Sequence, residues 1–148
     1  MKNSIRNLMA VTLFVATISG SSVVTPAQTT VNENDLYLLS HLIAGEANDC
    51  STLMKQYVGS VVLNRVADPR FPDTLEEVIN QPGQYSCTWD GNFGKEPNED
   101  TLEVAKELLE SGSILDPCVI FQAEFVQGKG IYDSIYDPTM NTTMYFCY

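Results

Sequence analysis

The sequence predicts an α+β domain, with a helical N-terminal part and a small antiparallel sheet near the C-terminus. Three observations predict it. Apolar residues recur at helical spacing through most of residues 35–66. "NEDTLEVAKELLESG" repeats that pattern between a capping residue and a terminating glycine. After Pro117 the texture changes to short β-rich runs separated by turn residues. Helices first and strands afterwards favour a segregated sheet over alternating βαβ units.

The elements follow in order. Residues 28–34 read as a polar arm. A first helix is expected over about 35–47, capped by Asn34 or Asp35, with Leu36, Leu39, Leu42 and Ile43 in one stripe. "ANDCST" breaks it. "LMKQYVGSVVLNRV" reads as a second helix, apolar on most sides and therefore central, with Gly59 allowing close backbone approach. Pro69 and Pro72 stop it. "TLEEVINQ" is a short third helix with Thr74 and Glu77 placed for a capping box. "PGQYSCTWDGNFGKEP" reads as a long loop. The next helix takes Asn98 as cap, points Leu102, Ala105 and Leu109 inward, and ends at Gly112. "CVIFQAEF" reads as a strand, "QGKG" as a turn, and "TTMYFCY" as the closing strand.

The first 27 residues stand apart. "MKNSIRNLMAVTLFVATISGSSVVTPA" carries Lys2 and Arg6, then an apolar run from Leu8 to about Ile18, then small residues. That is the pattern of a secretory signal, with cleavage expected after Ala27. The run is too short for a membrane span. About 120 residues remain, enough for one modest core, so residues 35–148 are expected to form a single, monomeric, secreted domain. The signal holds two of the eight basic residues and none of the 19 acidic ones, so the mature formal charge is −13. Such a surface repels nucleic acid and anionic membrane, but not an uncharged sugar.

Four cysteines fall in the mature part: Cys50, Cys87, Cys118 and Cys147. An even count in an exported chain argues for disulfides. Cys118 starts one apolar run and Cys147 ends another, and in antiparallel neighbours start meets end. The expected pairing is therefore Cys118–Cys147, leaving Cys50–Cys87. The spacings are too wide for a CxxC redox or zinc motif. No metal and no cofactor is expected. "DGNFGKE" alternates like a calcium loop, but Lys95 stands where the turn glycine belongs.

Few residues are placed for chemistry. His41 is the only histidine and projects opposite the apolar stripe, so it reads as a surface residue. Glu46 falls on the stripe side, between Leu39 and Leu42. A carboxylate there must pair, neutralise or do chemistry, unless the helix end simply turns into solvent. Asn64 is polar within the central apolar helix, and such an amide is most often satisfied in the core. Gln84, Tyr85, Ser86, Trp89 and Asp90 mix aromatic faces with amide, hydroxyl and carboxyl groups. That mixture suits sugar rings, and equally a loop filling its own apolar hole.

"GEA" in the first helix, "VVLNRVADPRFPDTLEEVINQPGQYS…WDG" and "PNEDTLEVAKELL" together resemble the SleB-type cell-wall hydrolases, the catalytic domains of bacterial spore cortex-lytic enzymes. The resemblance runs from about Leu36 to Tyr148 and is strongest from Val61 to Gly91. It implies a lysozyme-like fold and cleavage of the MurNAc–GlcNAc β-1,4 bond of peptidoglycan. It also implies that Glu46 is the general acid, with Asn64, Gln84, Tyr85, Ser86, Trp89 and Phe121 as supporting or cleft-lining groups. The implied reaction is that of a lytic transglycosylase with one catalytic glutamate. The sequence departs from the family pattern in three places. Cys50 stands where a second glutamate is common, Ala123 where an asparagine is common, and Met144 where a histidine is common. Two rivals follow: a catalytically silent lysozyme-like module that binds glycan or a partner protein, and a two-carboxylate muramidase using Asp49 or Asp90.

Overall fold

The computed structural model describes residues 31–148. The expected signal, residues 1–27, and residues 28–30 of the expected arm lie outside them. Five helices precede three strands: α1 (Glu33–Ala47), α2 (Thr52–Ala67), α3 (Leu75–Ile79), α4 (Cys87–Asp90), α5 (Glu99–Ser111), β1 (Phe121–Ala123), β2 (Ile131–Asp137) and β3 (Thr142–Cys147). The α+β expectation holds. Among the described residues no helix is long and apolar enough to cross a membrane.

Caps decide where the helices begin. The Asn32 side chain accepts from the N–H groups of Asn34 and Asp35 at 2.8 and 3.2 Å. The first helix therefore starts at Glu33, and the expected cap at Asn34 or Asp35 is corrected to Asn32. Ser51 caps α2 by accepting from Met54 N–H. Thr74 caps α3 through Glu77 N–H, and its hydroxyl also donates to the Glu77 carboxylate. Asn98 caps α5 through Thr101 N–H at 2.8 Å.

The core lies where α2 crosses α1 and α5. Leu39, Leu42, Ile43, Val58, Val61 and Val62 are fully shielded from solvent there, as the two apolar stripes require. Gly59 makes the crossing tight. A Cβ at that position would stand 2.5 Å from Leu108 Cδ1 and 2.9 Å from Ile43 Cδ1. Gly59→Val is accordingly expected to lower stability by about 1–3 kcal/mol through overpacking, read from denaturant unfolding. The inward face of α5 is Thr101, Val104, Ala105 and Leu108, one i, i+3, i+4, i+7 row. Of the residues expected to point inward, Ala105 does, Leu109 is half-buried and Leu102 is exposed. The stripe is set one residue earlier because Thr101 bonds inward to Asn48.

The sheet has the order β1–β3–β2, both pairs antiparallel, so the last strand is the central one. Phe121 pairs with Cys147, and Ile135 with Met144. A bulge lies between Ile131 and Asp133. β1 is confined to three residues of the longer expected run. β2 was not expected at all. Its Asp133, Ser134 and Asp137 interrupt the apolar alternation that marks a strand.

Neither expected disulfide is formed: all four cysteines are free thiols. Their surroundings differ. Cys50 gives its thiol to Asp137, while Cys87 faces Glu46. Cys147 is buried on the central strand, whereas Cys118 is exposed three residues before the start of β1. His41 is also not a surface residue. It is buried between Tyr37 and Phe93, and its Nδ1 lies 3.0 Å from the Phe93 carbonyl oxygen. This fixes a 3₁₀ turn, Asn92–Gly94, against α1 within the stretch expected as plain loop.

Candidate active site

The last turn of α1 delivers Glu46 to a pocket of about 120 Å³. Its other lining includes Asp49, Cys50, Lys95, Thr139 and Met140. That volume is well below the roughly 300 Å³ where ligand pockets begin, so a glycan strand would lie across its mouth rather than inside it. One carboxyl oxygen, Glu46 Oε1, is shut away from solvent with no hydrogen-bond partner among the described residues. Burial pushes the Glu46 carboxyl above its ordinary value. The thiol and backbone N–H of Cys87 pull it partly back, and the nearby charge of Asp90 adds a smaller upward push. The helix end does not simply turn into solvent.

The backbone after Glu46 is tied down. Asn48 is buried, and its Oδ1 accepts from Asn98 N–H at 3.0 Å and from the Thr101 hydroxyl at 2.9 Å. Its amide donates to the Glu96 carbonyl, and Asn98 Nδ2 donates to the Asn48 carbonyl at 2.6 Å. The end of α1 is thus fastened to the start of α5. At the rim, Lys95 pairs with Asp49 at 3.1 Å. Burial pushes the Asp137 carboxyl up. The N–H groups of Met140, Thr139 and Ser51 and the Cys50 thiol more than offset that and hold it below its ordinary value. Cys50, at the position of the second glutamate in the resembling family, is therefore a tether to the β2–β3 turn.

The remaining candidates divide. Trp89 and Asp90 are exposed on α4, with Trp89 60% open to solvent. Gln84 and Ser86 are exposed beside them. Asn64 is corrected. It is 4% exposed, and its amide donates to the carbonyls of Asp116 and Val119 at 2.8 and 2.9 Å. Both donors are consumed in fastening α2 to the segment between α5 and β1, so it is the satisfied core amide. Tyr85 is likewise corrected: it is fully buried, with its hydroxyl accepting from Arg65 at 3.0 Å. Burial pushes that phenol up to about 12. Phe121 lines a separate cavity with Arg70, Cys118, Gly128, Lys129 and Tyr148, not the pocket of Glu46. Cys87, Asn48 and Lys95 were missed as site residues. Cys87 was read only as a disulfide partner, and nothing in the local pattern marks the other two. Among the described residues no group of three or more His, Cys, Asp or Glu is placed to hold a metal ion.

Comparison with known proteins places this geometry in a lineage. The spore cortex-lytic enzyme of Oceanobacillus iheyensis is 31% identical over 78 residues, covering 53% of this chain and 28% of that protein. The spore cortex-lytic enzyme of Bacillus cereus is 34% identical over 78 residues, 53% of this chain and 30% of that protein. The chain thus spans less than a third of the length of these relatives. Among solved structures, the catalytic domain of the Bacillus cereus SleB protein matches with a TM-score of 0.61 at 21% identity, over 80% of this chain and 93% of that one. The catalytic domain of the germination-specific lytic transglycosylase SleB from Bacillus anthracis matches with a TM-score of 0.63 at 20% identity, over 81% and 98%. These matches give the chain the lysozyme-like fold of SleB catalytic domains. The cell wall hydrolase family model matches residues 51–146, and Glu46 lies just before that span. With most of its described residues inside that match, the chain belongs to the cell wall hydrolase family.

Proposed function

We propose that this chain cleaves the MurNAc–GlcNAc β-1,4 bond of peptidoglycan as a lytic transglycosylase, with Glu46 as its single acid and base. One observation carries the reading: a carboxyl group with a buried, unpartnered oxygen stands at a pocket on the frame of a cell wall hydrolase. Desolvation favours the protonated form, which is what a general acid must hold near neutral pH.

In the forward step Glu46 gives its proton to the glycosidic oxygen as the bond to the muramic C1 breaks. The electron pair stays with the departing sugar oxygen, and C1 develops oxocarbenium character. The carboxylate left behind then takes the proton of the 6-hydroxyl of the same muramic residue as that oxygen bonds to C1. The product end is a 1,6-anhydro ring, no water is consumed, and Glu46 is reprotonated. The exposed indole of Trp89, on the helix that packs against the end of α1, is the platform on which a sugar ring stacks. Gln84 and Ser86 are exposed just before that helix and could offer their polar groups to sugar edges. The expected setting is extracytoplasmic, at the cell wall.

Asp90 supports a second reading. It is exposed on α4 and close enough for its charge to act on Glu46. A second carboxylate across the bond would serve water instead of the 6-hydroxyl. Asp49 is the weaker choice, because it is paired with Lys95.

Products separate the readings. Purified peptidoglycan digested with residues 28–148 should give muropeptides with anhydro-muramic ends by mass spectrometry. Reducing ends would establish the two-carboxylate hydrolase. Absence of products from several walls, with glycan binding retained, would establish the silent module.

A further inference from the structure

The chemistry above makes no use of the cavity that Phe121 lines. That cavity holds about 370 Å³, within the range of small-ligand sites, and Arg70, Cys118, Phe121, Gly128, Lys129 and Tyr148 surround it. It shares no lining residue with the Glu46 pocket. Its frame is fixed by the turn between β1 and β2. Gly128 has φ +59°, and a Cβ there would collide with the Tyr148 main-chain oxygen and stand 2.8 Å from two carbons of the Phe121 ring. Only glycine lets the turn lie this close. The Lys129 N–H donates to that Tyr148 oxygen at 2.9 Å, and the Tyr148 N–H donates to the Gly130 carbonyl at 3.0 Å. The turn is thus bonded to the residue after β3, which brings Lys129 to the cavity. Edge-on contact with Tyr132, at 5.8 Å between ring centroids, supports the Tyr148 ring.

Charge singles this cavity out. Beyond the expected signal the chain has six basic residues, and two of them line it. The other four are committed: Lys55 to Asp100, Arg65 to Tyr85 and Ile120, Lys95 to Asp49, and Lys106 to Glu110. Arg70 gives Nε and Nη2 to Asp68, which leaves the two N–H groups of Nη1. Lys129 is exposed and forms no ion pair among the described residues. The carboxylate of Asp116, just before Cys118, accepts the Cys118 N–H at 2.8 Å. We propose that the cavity binds the carboxylate end of a short peptide. Arg70 Nη1 and Lys129 Nζ take the carboxylate, and the rings of Phe121 and Tyr148 cover the small apolar side chains beside it. An uncharged sugar would leave both cations without a partner, and a bare inorganic anion would leave both rings uncovered. Peptides of this kind are the stems that peptidoglycan carries on its muramic residues, so the cavity is a second hold on the wall. The inference rests on peptidoglycan as the substrate and not on Glu46 as the acid.

N-acetyl-D-alanyl-D-alanine, its C-terminal amide and inorganic phosphate test this on the full chain, with Cys118 as the reporter. Cys118 is the exposed thiol of the four and lines the cavity, so a bound ligand should slow its alkylation by iodoacetamide, read by peptide mass spectrometry. The acid should protect Cys118 saturably, and the amide should bind about tenfold more weakly or worse, because it lacks the charge that the two cations take. Lys129→Gln should weaken the acid by about tenfold with the fold intact. The same variant should cleave glycan strands stripped of peptide as wild type does. Equal protection by acid and amide, or protection by neither, would overturn the proposal. Phosphate protecting as well as the acid would mean a general anion site and overturn the peptide assignment. A folded Lys129→Gln that binds the acid as tightly as wild type would overturn the role given to Lys129 and with it the carboxylate site. Protection is read without any cleavage. An inactive protein that still binds the acid would sink the transglycosylase reading alone, and a failure here would leave Glu46 as the acid.

Discussion

Glu46→Gln should lower the rate of peptidoglycan solubilisation by about 10²–10⁴-fold, the usual worth of a general acid, without unfolding the domain. The amide keeps the shape of the side chain and cannot give a proton. The substitution should also leave a signature in stability. The folded-state pKa of Glu46 lies above its unfolded value because burial disfavours the charge. Wild-type stability from this group is therefore fully present below the unfolded pKa and is lost as pH rises through the folded one. Glutamine carries no such dependence. The melting temperature of Glu46→Gln relative to wild type should rise between pH 4 and pH 8, and thermal scans at the two pH values check it. A gap that stays constant with pH would mean that Glu46 is not desolvated.

Arg65→Ala should be the most damaging single truncation away from the site. Arg65 is 4% exposed in the last turn of α2. Its Nε donates to the Ile120 carbonyl at 2.7 Å and its guanidinium to the Tyr85 hydroxyl at 3.0 Å. The same group lies over the rings of Phe71 and Tyr85, at 5.5 and 5.2 Å. It therefore ties three segments together: the segment before α4, the approach to β1 and the turn after α2. Alanine strands two buried acceptors and opens a void. The expected loss is about 3–5 kcal/mol in denaturant unfolding, since bonds from charged donors are worth roughly 1.5–3 kcal/mol each. At a few degrees per kcal/mol for a domain of this size, the melting temperature should fall by about 10–20 °C. Arg65→Lys should recover only a small part, because a lysine cannot fork between Ile120 and Tyr85 or stack on both rings. A loss under about 1 kcal/mol would mean that the network is dispensable.

The long helices were legible because periodicity is a property of sequence. Leu39, Leu42 and Ile43 on α1, and Val58, Val61 and Val62 on α2, lie where a 3.6-residue repeat puts them. α4 has four residues, too few to show any period, and so it was read as loop. β2 was hidden because its acids face inward, Asp137 buried and Asp133 half-buried, while Tyr132 and Tyr136 face solvent. The site was legible in part for the same reason. A carboxylate on an apolar stripe is visible in a helical projection, so Glu46 could be singled out. Residue type alone does not tell which way a side chain turns. Asn64 and Tyr85 carry the groups a sugar site needs, but Arg65, Asp116 and Val119 claim them first. Cysteine parity suggested two bridges. In the fold, carboxylates meet two of the thiols: Asp137 takes that of Cys50, and Glu46 faces that of Cys87.

The central claim is that burial at the end of α1 disfavours the charged form of Glu46 and raises its carboxyl above the ordinary value. The most direct measurement is the pH titration of the Glu46 side-chain carboxyl by ¹³C NMR in the wild-type protein, assigned by its loss in Glu46→Gln. A midpoint clearly above the ordinary value of 4.5 is the predicted result. A midpoint at or below it would mean that burial does not favour the protonated form of Glu46, and would contradict its assignment as the acid.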